Sequence, residues 1–479
     1  MLWLGLYFPQ LPLEVCVRGR QQAGPLAIVE SRAGREQVSR CNAAARACGV
    51  APGMALPAAL ALCGELAVQR RDRAGEGRAL EELAAWAYQF SARISFEPSL
   101  LLLEVGASQR LFGGLATLLG QLQRELEQLG YSARHALAPT PTAAGLLARN
   151  RPGCTVTGTA GLRDAVAPLA LDCLTREARA RALVRHIGLA TIGDVLALPR
   201  AELARRLGPQ LTGLLDRLLG DAPDPRAEWS PPQTFGQTVE LLGEIGQCTA
   251  LVFPARRLMV ALCGFLRGLG GGAQRLQWTL QHRDLAATRF GMGLLDPSRD
   301  PDHMLAVFRE RIERLVLPAP VIAISLQVDD WLAFAEHSLT LPVGETLDAR
   351  PDPALLERLG NRLGEQHVRG LRCLADHRPE RAWQLCRPGE PGDSGTARAL
   401  SQPPWLLPQP RPLQDCDGVP AYGDGLLRLH SLPERIEAGW WDGFDITRDY
   451  FVAHSPAGER LWVFRDRRGG GWYLHGLFV

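Results

Sequence analysis

The sequence predicts a multidomain α+β protein. The first third alternates short apolar runs with helical patterns, the middle is helical with Gly and Pro punctuation, and the last quarter holds aromatic β-type segments. At 479 residues the chain exceeds what one hydrophobic core organises, so several domains are expected. A hydrophobic content of 46% supplies those cores, and no apolar run reaches transmembrane length. Pro9 and Pro12 interrupt an N-terminus without a basic leader, which argues against a secretory signal. A soluble, cytoplasmic protein is therefore expected.

Charge and cysteine usage narrow the chemistry. All 53 basic residues are Arg, a pattern that fits coding bias, and every cationic contact is therefore a guanidinium. A net charge of +2 excludes a globally basic nucleic-acid binder, so any such surface must be a local patch. The eleven Cys residues form no Cys-x-x-Cys and no paired Cys/His spacing, which argues against zinc and fits reduced thiols. No metal or other cofactor is expected.

Taken in order, 2–7 and 26–29 read as strands, the second stopped by Ser31, Arg32 and Gly34. Residues 42–48 read as a short helix closed by Gly49, 54–62 as a second helix, and 80–90 as an amphipathic one. A strand at 100–105, a leucine-rich helix at 115–129 ending at Gly130, a strand at 135–138 and a helix at 141–149 follow. From 183 to 196 the chain carries a helix–hairpin–helix pattern around Ile187-Gly188-Leu189. Such a turn lets backbone amides approach phosphates, or simply closes a helix pair. Pro223, Pro225, Pro231 and Pro232 mark a linker.

Beyond it, a helix at 254–269 and strands at 276–282 and 321–328 make a small α+β module, with 268–272 as a flexible tip. Arg256, Arg257, Arg267, Arg275, Arg283 and Arg289 are candidates to line a phosphate groove, though Glu240, Glu244 and Asp284 keep the module near neutral. A helix at 353–365 precedes a Pro/Gly-rich linker at about 387–404. In the aromatic segments 435–443, 461–464 and 472–478, Trp462 reads as core. Trp440 and Trp441 read as either core or partner contacts.

Several stretches together resemble the Y-family translesion DNA polymerases. Asn42-Ala43-Ala44-Ala45-Arg46-Ala47-Cys48-Gly49-Val50-Ala51-Pro52-Gly53-Met54 is similar to the family run Asn-Tyr-Glu-Ala-Arg-x-x-Gly-Val-x-x-Gly-Met. Residues 138–149 resemble a second family run, with Arg149 at its Lys. The resemblance implies a palm and fingers at 1–165, a helix–hairpin–helix thumb at 166–232, a little-finger-like domain at 233–345 and a C-terminal interaction region at 346–479. It also implies DNA contacts at Ile187, Gly188, Leu189, Arg149, Arg256 and Arg257.

Matched to the family's two catalytic strands, Gly5, Tyr7, Ser99 and Leu100 stand where active members carry acids. Two-metal nucleotidyl transfer needs clustered carboxylates, so the resemblance implies a homologue that does not polymerise. Arg46 is then a nucleotide-binding relic, since Ala43 replaces the Tyr that accompanies it in active members. Glu14, Glu97 and Glu104 are the acids left near these strands, and a displaced metal site among them would make an active low-fidelity polymerase instead.

Segments 376–383, 404–408, 433–437, 439–443 and 448–451 resemble a branch of the family that lacks the acids and serves bacterial SOS mutagenesis. That branch implies damaged or primer-template DNA, a RecA-like protein, an error-prone replicative-type polymerase alpha subunit and the sliding clamp as partners. A clamp-binding form Gln-x-Leu-x-Leu-Phe is approximated by His337-Ser338-Leu339-Thr340-Leu341-Pro342. Its two Leu anchors are kept; the alternative is an edge strand or loop with buried leucines. A protein-interaction scaffold without DNA affinity is the remaining rival.

Overall fold

The computed structural model describes residues 1–478 except 18–23, 33, 175–188, 335–352, 389, 391–401 and 424. It divides into two compact units, Met1–Leu347 and Asp348–Val479.

The first unit is built on a central antiparallel sheet. Its strands β1 (Trp3–Tyr7), β5 (Ile94–Glu97), β6 (Leu100–Glu104) and β7 (Arg134–Ala138) run in the order β5-β6-β1-β7. The run of four leucines in β6 follows from burial of both its faces. Leu101 and Leu103 join Leu4 and Leu6 in one core, while Leu100 and Leu102 join Trp3 in the other.

Between β1 and β5 lie α1 (Leu11–Val17), β2 (Leu26–Arg32), β3 (Arg35–Cys41), α2 (Ala43–Ala47), α3 (Leu56–Leu62), β4 (Ala67–Arg70) and α4 (Arg73–Ala87). The sheet β3-β2-β4 and helices α2 and α3 enclose a small core of their own. Sequence reading missed β3 and β4, whose polar residues show no alternation; pairing with the buried β2 makes them strands. Asn42 ties this region together. Its Oδ1 accepts from Ala45 N at 2.9 Å as helix cap and from Leu26 N at 3.0 Å, while its Nδ2 donates to Gly24 O at 2.8 Å. Helix α4 starts seven residues before the expected 80 because Asp72 caps it, accepting from Gly75 N at 2.8 Å.

After α5 (Leu115–Leu129), α6 (Pro141–Asn150), α7 (Leu162–Val166) and helices at Ile192–Leu196 and Arg200–Leu219, the chain enters a second antiparallel sheet. It contains β8 (Phe235–Ile245), β9 (Gly271–His282), β10 (Thr288–Ser298) and β11 (Val321–Val328) in the order β10-β9-β11-β8. The short β12 (Leu332–Ala333) pairs with the start of β9. Helices Val252–Leu269 and Pro301–Ile312 pack on its apolar face, where Leu276, Trp278 and Leu280 point. The expected flexible tip at 268–272 is corrected: Gly270 caps the helix and Gly271 and Gly272 open β9, buried beneath Trp331 and Phe334.

Helix Val252–Leu269 also packs on α4 and α5, so this sheet and the central sheet share one continuous core. Gly264 and Gly268 make the approach possible. A Cβ at Gly264 would lie 2.4 Å from the Trp86 ring, and one at Gly268 would lie 2.8 Å from the Tyr88 ring. Among the described residues, the stretch Cys248–Leu269 is the one helix long and apolar enough to cross a membrane, and 67% of its apolar 18-residue window is buried inside the protein.

The second unit opens with helix Pro353–Leu363 and the hairpin of β13 (Gly370–Cys373) and β14 (Trp383–Cys386). The remaining strands are β15 (Trp405–Cys416), β16 (Val419–Tyr422), β17 (Gly425–Leu426), β18 (Arg428–Leu429), β19 (Glu434–Ala438), β20 (Ile446–His454), β21 (Arg460–Asp466) and β22 (Trp472–Leu477). They form one sheet, β17-β16-β15-β22-β21-β20-β18, with β19 also on β20. Alternation along β21 sends Leu461 and Val463 into one core and Trp462 and Phe464 into another, so Trp462 is core as expected.

In the second core Tyr450 Oη lies 2.8 Å from His475 Nδ1 and accepts from Arg448 at 3.1 Å. Because Arg448 already donates to that oxygen, the phenol proton goes to His475, whose ring is neutral with its proton on Nε2. Burial pushes the His475 pKa down from 6.5 to about 4. The unfolded chain therefore takes up a proton that the folded unit refuses as pH falls from 6.5 toward 4. This one group should remove about 2–3 kcal/mol of stability over that window. Urea midpoints of the full chain at pH 7 and 4.5, read by tryptophan fluorescence, should show that loss, and His475→Asn should reduce the difference.

Candidate functional site

A cleft of about 560 Å³ opens beside the central sheet, lined by Glu97 and Leu100, by Thr142 and Arg149 of α6, and by Arg217 and Arg226. Its floor is set by strand register, which places Tyr7 opposite Leu100 and Gly5 opposite Leu102. Helix α6 lies directly on these strands. An atom at the missing Cβ of Gly5 would stand 2.5 Å from the Ala144 carbonyl oxygen, so the backbone of α6 fills that position. Leu100 is buried under α6, where a Cβ on Gly145 would come within 2.7 Å of its methyl.

Ser99 occupies the β5–β6 turn with φ 61°, and its carbonyl accepts from Phe8 N at 2.9 Å. Tyr7 is half-buried, with the Arg149 guanidinium 5.5 Å above its ring. The four positions matched to catalytic acids therefore differ in surroundings. Position 5 has no room for a side chain, position 100 is packed under a helix, position 99 belongs to a turn, and position 7 is a tyrosine covered by the Arg149 guanidinium.

Two acids line the cleft, Asp224 and, on the central sheet, Glu97, one residue pair before the expected positions. Its Oε1 accepts from Arg226 at 2.7 Å, and its Oε2 lies 3.4 Å from both terminal nitrogens of Arg149. Arg226 extends the network. It donates to Thr142 Oγ1 at 2.7 Å and pairs with Asp224 at 3.2 Å, while Asp224 accepts from Thr142 N at 2.9 Å and Oγ1 at 2.7 Å. The expected proline linker is thus a strap fastened along the edge strand β5, from α6 to the end of α4. Further along, Trp229 N donates to Ile94 O at 2.8 Å and the Trp229 ring packs edge-on against Tyr88.

Glu104 and Glu14 are committed elsewhere. Glu104 is buried and accepts from Leu2 N at 2.9 Å and Gly106 N at 3.1 Å, closing the N-terminus onto β6. Glu14 accepts from the N–H and hydroxyl of Ser132, and burial raises its pKa. Among the described residues, no three His, Cys, Asp or Glu side chains are grouped as ligands for an ion. The cleft fits two bound metal ions poorly, because its two carboxylates, Glu97 and Asp224, already face the guanidiniums of Arg149 and Arg226. Removing Arg226 leaves the largely buried Asp224 without its cation. Arg226→Ala should cost about 2–3 kcal/mol, read as a lowered urea midpoint of the full chain, with Arg226→Lys recovering part of it.

Residues 14–149 match the impB/mucB/samB family. Protein ImuB of Caulobacter vibrioides, in strains NA1000/CB15N and ATCC 19089/CIP 103742/CB 15, is 28% identical over 466 residues, covering 90% of this chain and 100% of ImuB. The chain is an ImuB-like homologue. Solved structures similar to it include the Y-family DNA polymerase chimera Dbh-Dpo4(243-245)-Dbh and DinB from Sulfolobus solfataricus. Each is 16% identical and covers 70% of this chain, with TM-scores of 0.38 and 0.37.

The other site residues read from sequence scatter over this ImuB-like chain. Arg46 is exposed on α2 beside exposed Ala43. Leu189 is half-buried against the core containing α7; Ile187 and Gly188 lie outside the described residues, as do His337, Leu339 and Leu341. Arg256 pairs with Asp302 at 3.2 Å, and Arg257 lies 4.5 Å over the Phe253 ring and against Gly130, so both face the helix layer and not the open sheet.

The polar face of the second sheet instead presents Arg275, Gln277 and Thr279 of β9, Arg289 of β10, and Ser325 and Gln327 of β11. Of these, sequence reading named the two arginines. The uncharged ones were legible only as the alternate residues of strands whose registers it lacked. Trp440 and Trp441 are 80% and 57% exposed, which decides against core for both.

Proposed function

We propose that this chain is a non-catalytic adaptor of error-prone translesion synthesis, the DNA-binding hub of a damage-induced (SOS) mutagenic complex. The observation that carries the reading is the pairing of the two acids that line the cleft: Glu97 faces Arg149 and Arg226, and Asp224 is bound to Arg226, so neither is free to hold metal against a triphosphate. On this reading the central sheet is the palm and β2–β4 with α2 and α3 are the fingers. The helices after α6 are the thumb, which would hold DNA through the turn at Ile187, Gly188 and Leu189. The second sheet is the little finger, whose polar face with Arg275 and Arg289 would meet phosphates. Arg149 supports the cleft rather than a nucleotide, and Arg46 remains as a surface relic.

The second unit would recruit the partners ImuA (RecA-like) and the error-prone polymerase alpha subunit, with the segment at His337, Leu339 and Leu341 as the clamp contact. Two measurements test this. Primer extension with Mg²⁺ or Mn²⁺ should yield no template-directed product, and clear synthesis would establish an active polymerase instead. Binding to primer-template DNA should weaken steeply with salt, and Arg275→Ala with Arg289→Ala should weaken it further and flatten the slope. Salt-independent or absent DNA binding would leave only the protein scaffold.

A further inference from the structure

The seven-residue connection 439–445 between β19 and β20 holds three aromatic rings in water: Trp440 and Trp441 at 80% and 57% exposure, and Phe444 at 66%. A mobile loop would need no support, but this one is braced from beneath. Arg378 is 3% exposed and donates to Asp442 at 2.9 Å and to the Phe444 carbonyl at 3.2 Å, with its guanidinium 5.5 Å from the Trp441 ring. Asp376 grips the same guanidinium from the other side. Arg381 completes the brace, bonding Asp442 at 2.8 Å and lying 4.8 Å over Phe444. Trp440 and Trp441 meet edge to face, 5.5 Å apart. The ordering of these rings is met in the free protein, which removes one of the main costs of association.

We propose that Trp440, Trp441 and Phe444 form a preorganised knob that docks into a concave, uncharged apolar pocket on a protein partner. The charge pattern selects the occupant. Arg378 and Arg381 are paired with Asp376 and Asp442, Arg435 with Asp449, Arg468 with Asp445, and Arg448 with Glu380. Rings that stack nucleic-acid bases work beside a cationic groove that tracks the backbone, and membrane anchoring draws on unpaired cations in the same way. Here each of those guanidiniums is matched by a carboxylate, so the exposed rings are left to apolar contact, where Trp is among the enriched anchors.

The inference rests on the adaptor reading for its probes: the purified RecA-like protein, the polymerase alpha subunit and the clamp. The full chain and the triple variant Trp440→Ala, Trp441→Ala, Phe444→Ala are titrated against each, at low and at 0.5 M salt. The expected result is a loss of at least tenfold in affinity for one of the three, with little salt dependence, unchanged primer-template binding and an unchanged urea midpoint. A second variant, Trp440→Glu, touches only the most exposed ring and should reproduce most of the loss without disturbing the brace. If the wild-type chain binds a partner and both variants bind it equally, the knob is refuted while the adaptor reading stands. If the wild-type chain binds none of the three, both fall. Loss of single-stranded DNA binding in the variants, or of a dimer seen by sedimentation, would assign the rings to another occupant and overturn the proposal.

Discussion

Gly5→Asp should destabilise the chain by about 3 kcal/mol and create no polymerase activity. Restoring an acid at a position matched to a catalytic one would ordinarily be the first repair to try. Here the Cβ alone would sit 2.5 Å from the Ala144 carbonyl oxygen, and backbone in a packed helix has little room to retreat. Helix α6 would have to lift from the sheet, exposing the buried Ala143, Ala144, Leu147 and Leu100 that seal the second core. Gly5→Ala should therefore cost nearly as much as Gly5→Asp, because the obstacle is volume before it is charge. Equilibrium urea unfolding of the three proteins checks this. A Gly5→Ala variant as stable as the parent would mean that α6 sits higher than described and that the position is open to a side chain.

The second large effect is expected at Glu125, well away from the cleft. Its carboxylate accepts from Trp86 Nε1 at 2.7 Å, Gln89 Nε2 at 2.9 Å and Gln121 Nε2 at 2.9 Å, and pairs with Arg267 at 3.1 Å. Three elements meet there: α4, α5 and helix Val252–Leu269. Glu125→Ala orphans a buried indole N–H and leaves the Arg267 guanidinium partly buried without its counter-charge. A loss of about 3–4 kcal/mol is expected. Glu125→Gln keeps an acceptor for Trp86 and should cost roughly half as much. Since this cluster joins the second sheet to the central one, the loss should appear as weakened protection of amides in Val252–Leu269 by hydrogen exchange, as well as a lower midpoint. Unaltered protection there would show that the apolar contacts of Gly264 and Gly268 alone hold the two sheets together.

Much of the fold was legible in the residues. The strands at 2–7 and 100–105, the helices at 115–129 and 141–149, and the helix beginning near 254 carry strong periodicity and clear caps, and they form where expected. The polar strands β3 and β4 and the long β8 and β10 were missed: β4 and β8 become strands through partners distant in sequence, while β3 and β10 close hairpins on β2 and β9 with polar or glycine-rich residues that carry little strand pattern of their own. At the cleft, motif matching pointed to a lack of acids. It put the vacancy at Ser99 and Leu100, while Glu97 went into the background as one of three leftover carboxylates. No pattern around Glu97 announces its partners: Arg149 is 52 residues away and Arg226 is 129 away.

The linear order of residues determined what this chain has to work with: strands and helices in a Y-family-like succession, an all-arginine cationic complement, few acids near the first strands and a tail dense in Trp. Local preferences and side-chain chemistry are properties of neighbours, so a string of letters carries them. Tertiary structure alone decided that α6 lies on Gly5, that Arg226 returns from a proline-rich stretch to meet Glu97, and that Arg378 lifts two tryptophans into water. Each of those is a meeting of groups separated by at least 60 residues or settled by a close approach of backbones. Packing and Coulomb attraction act through space, and only the folded chain brings their partners within range.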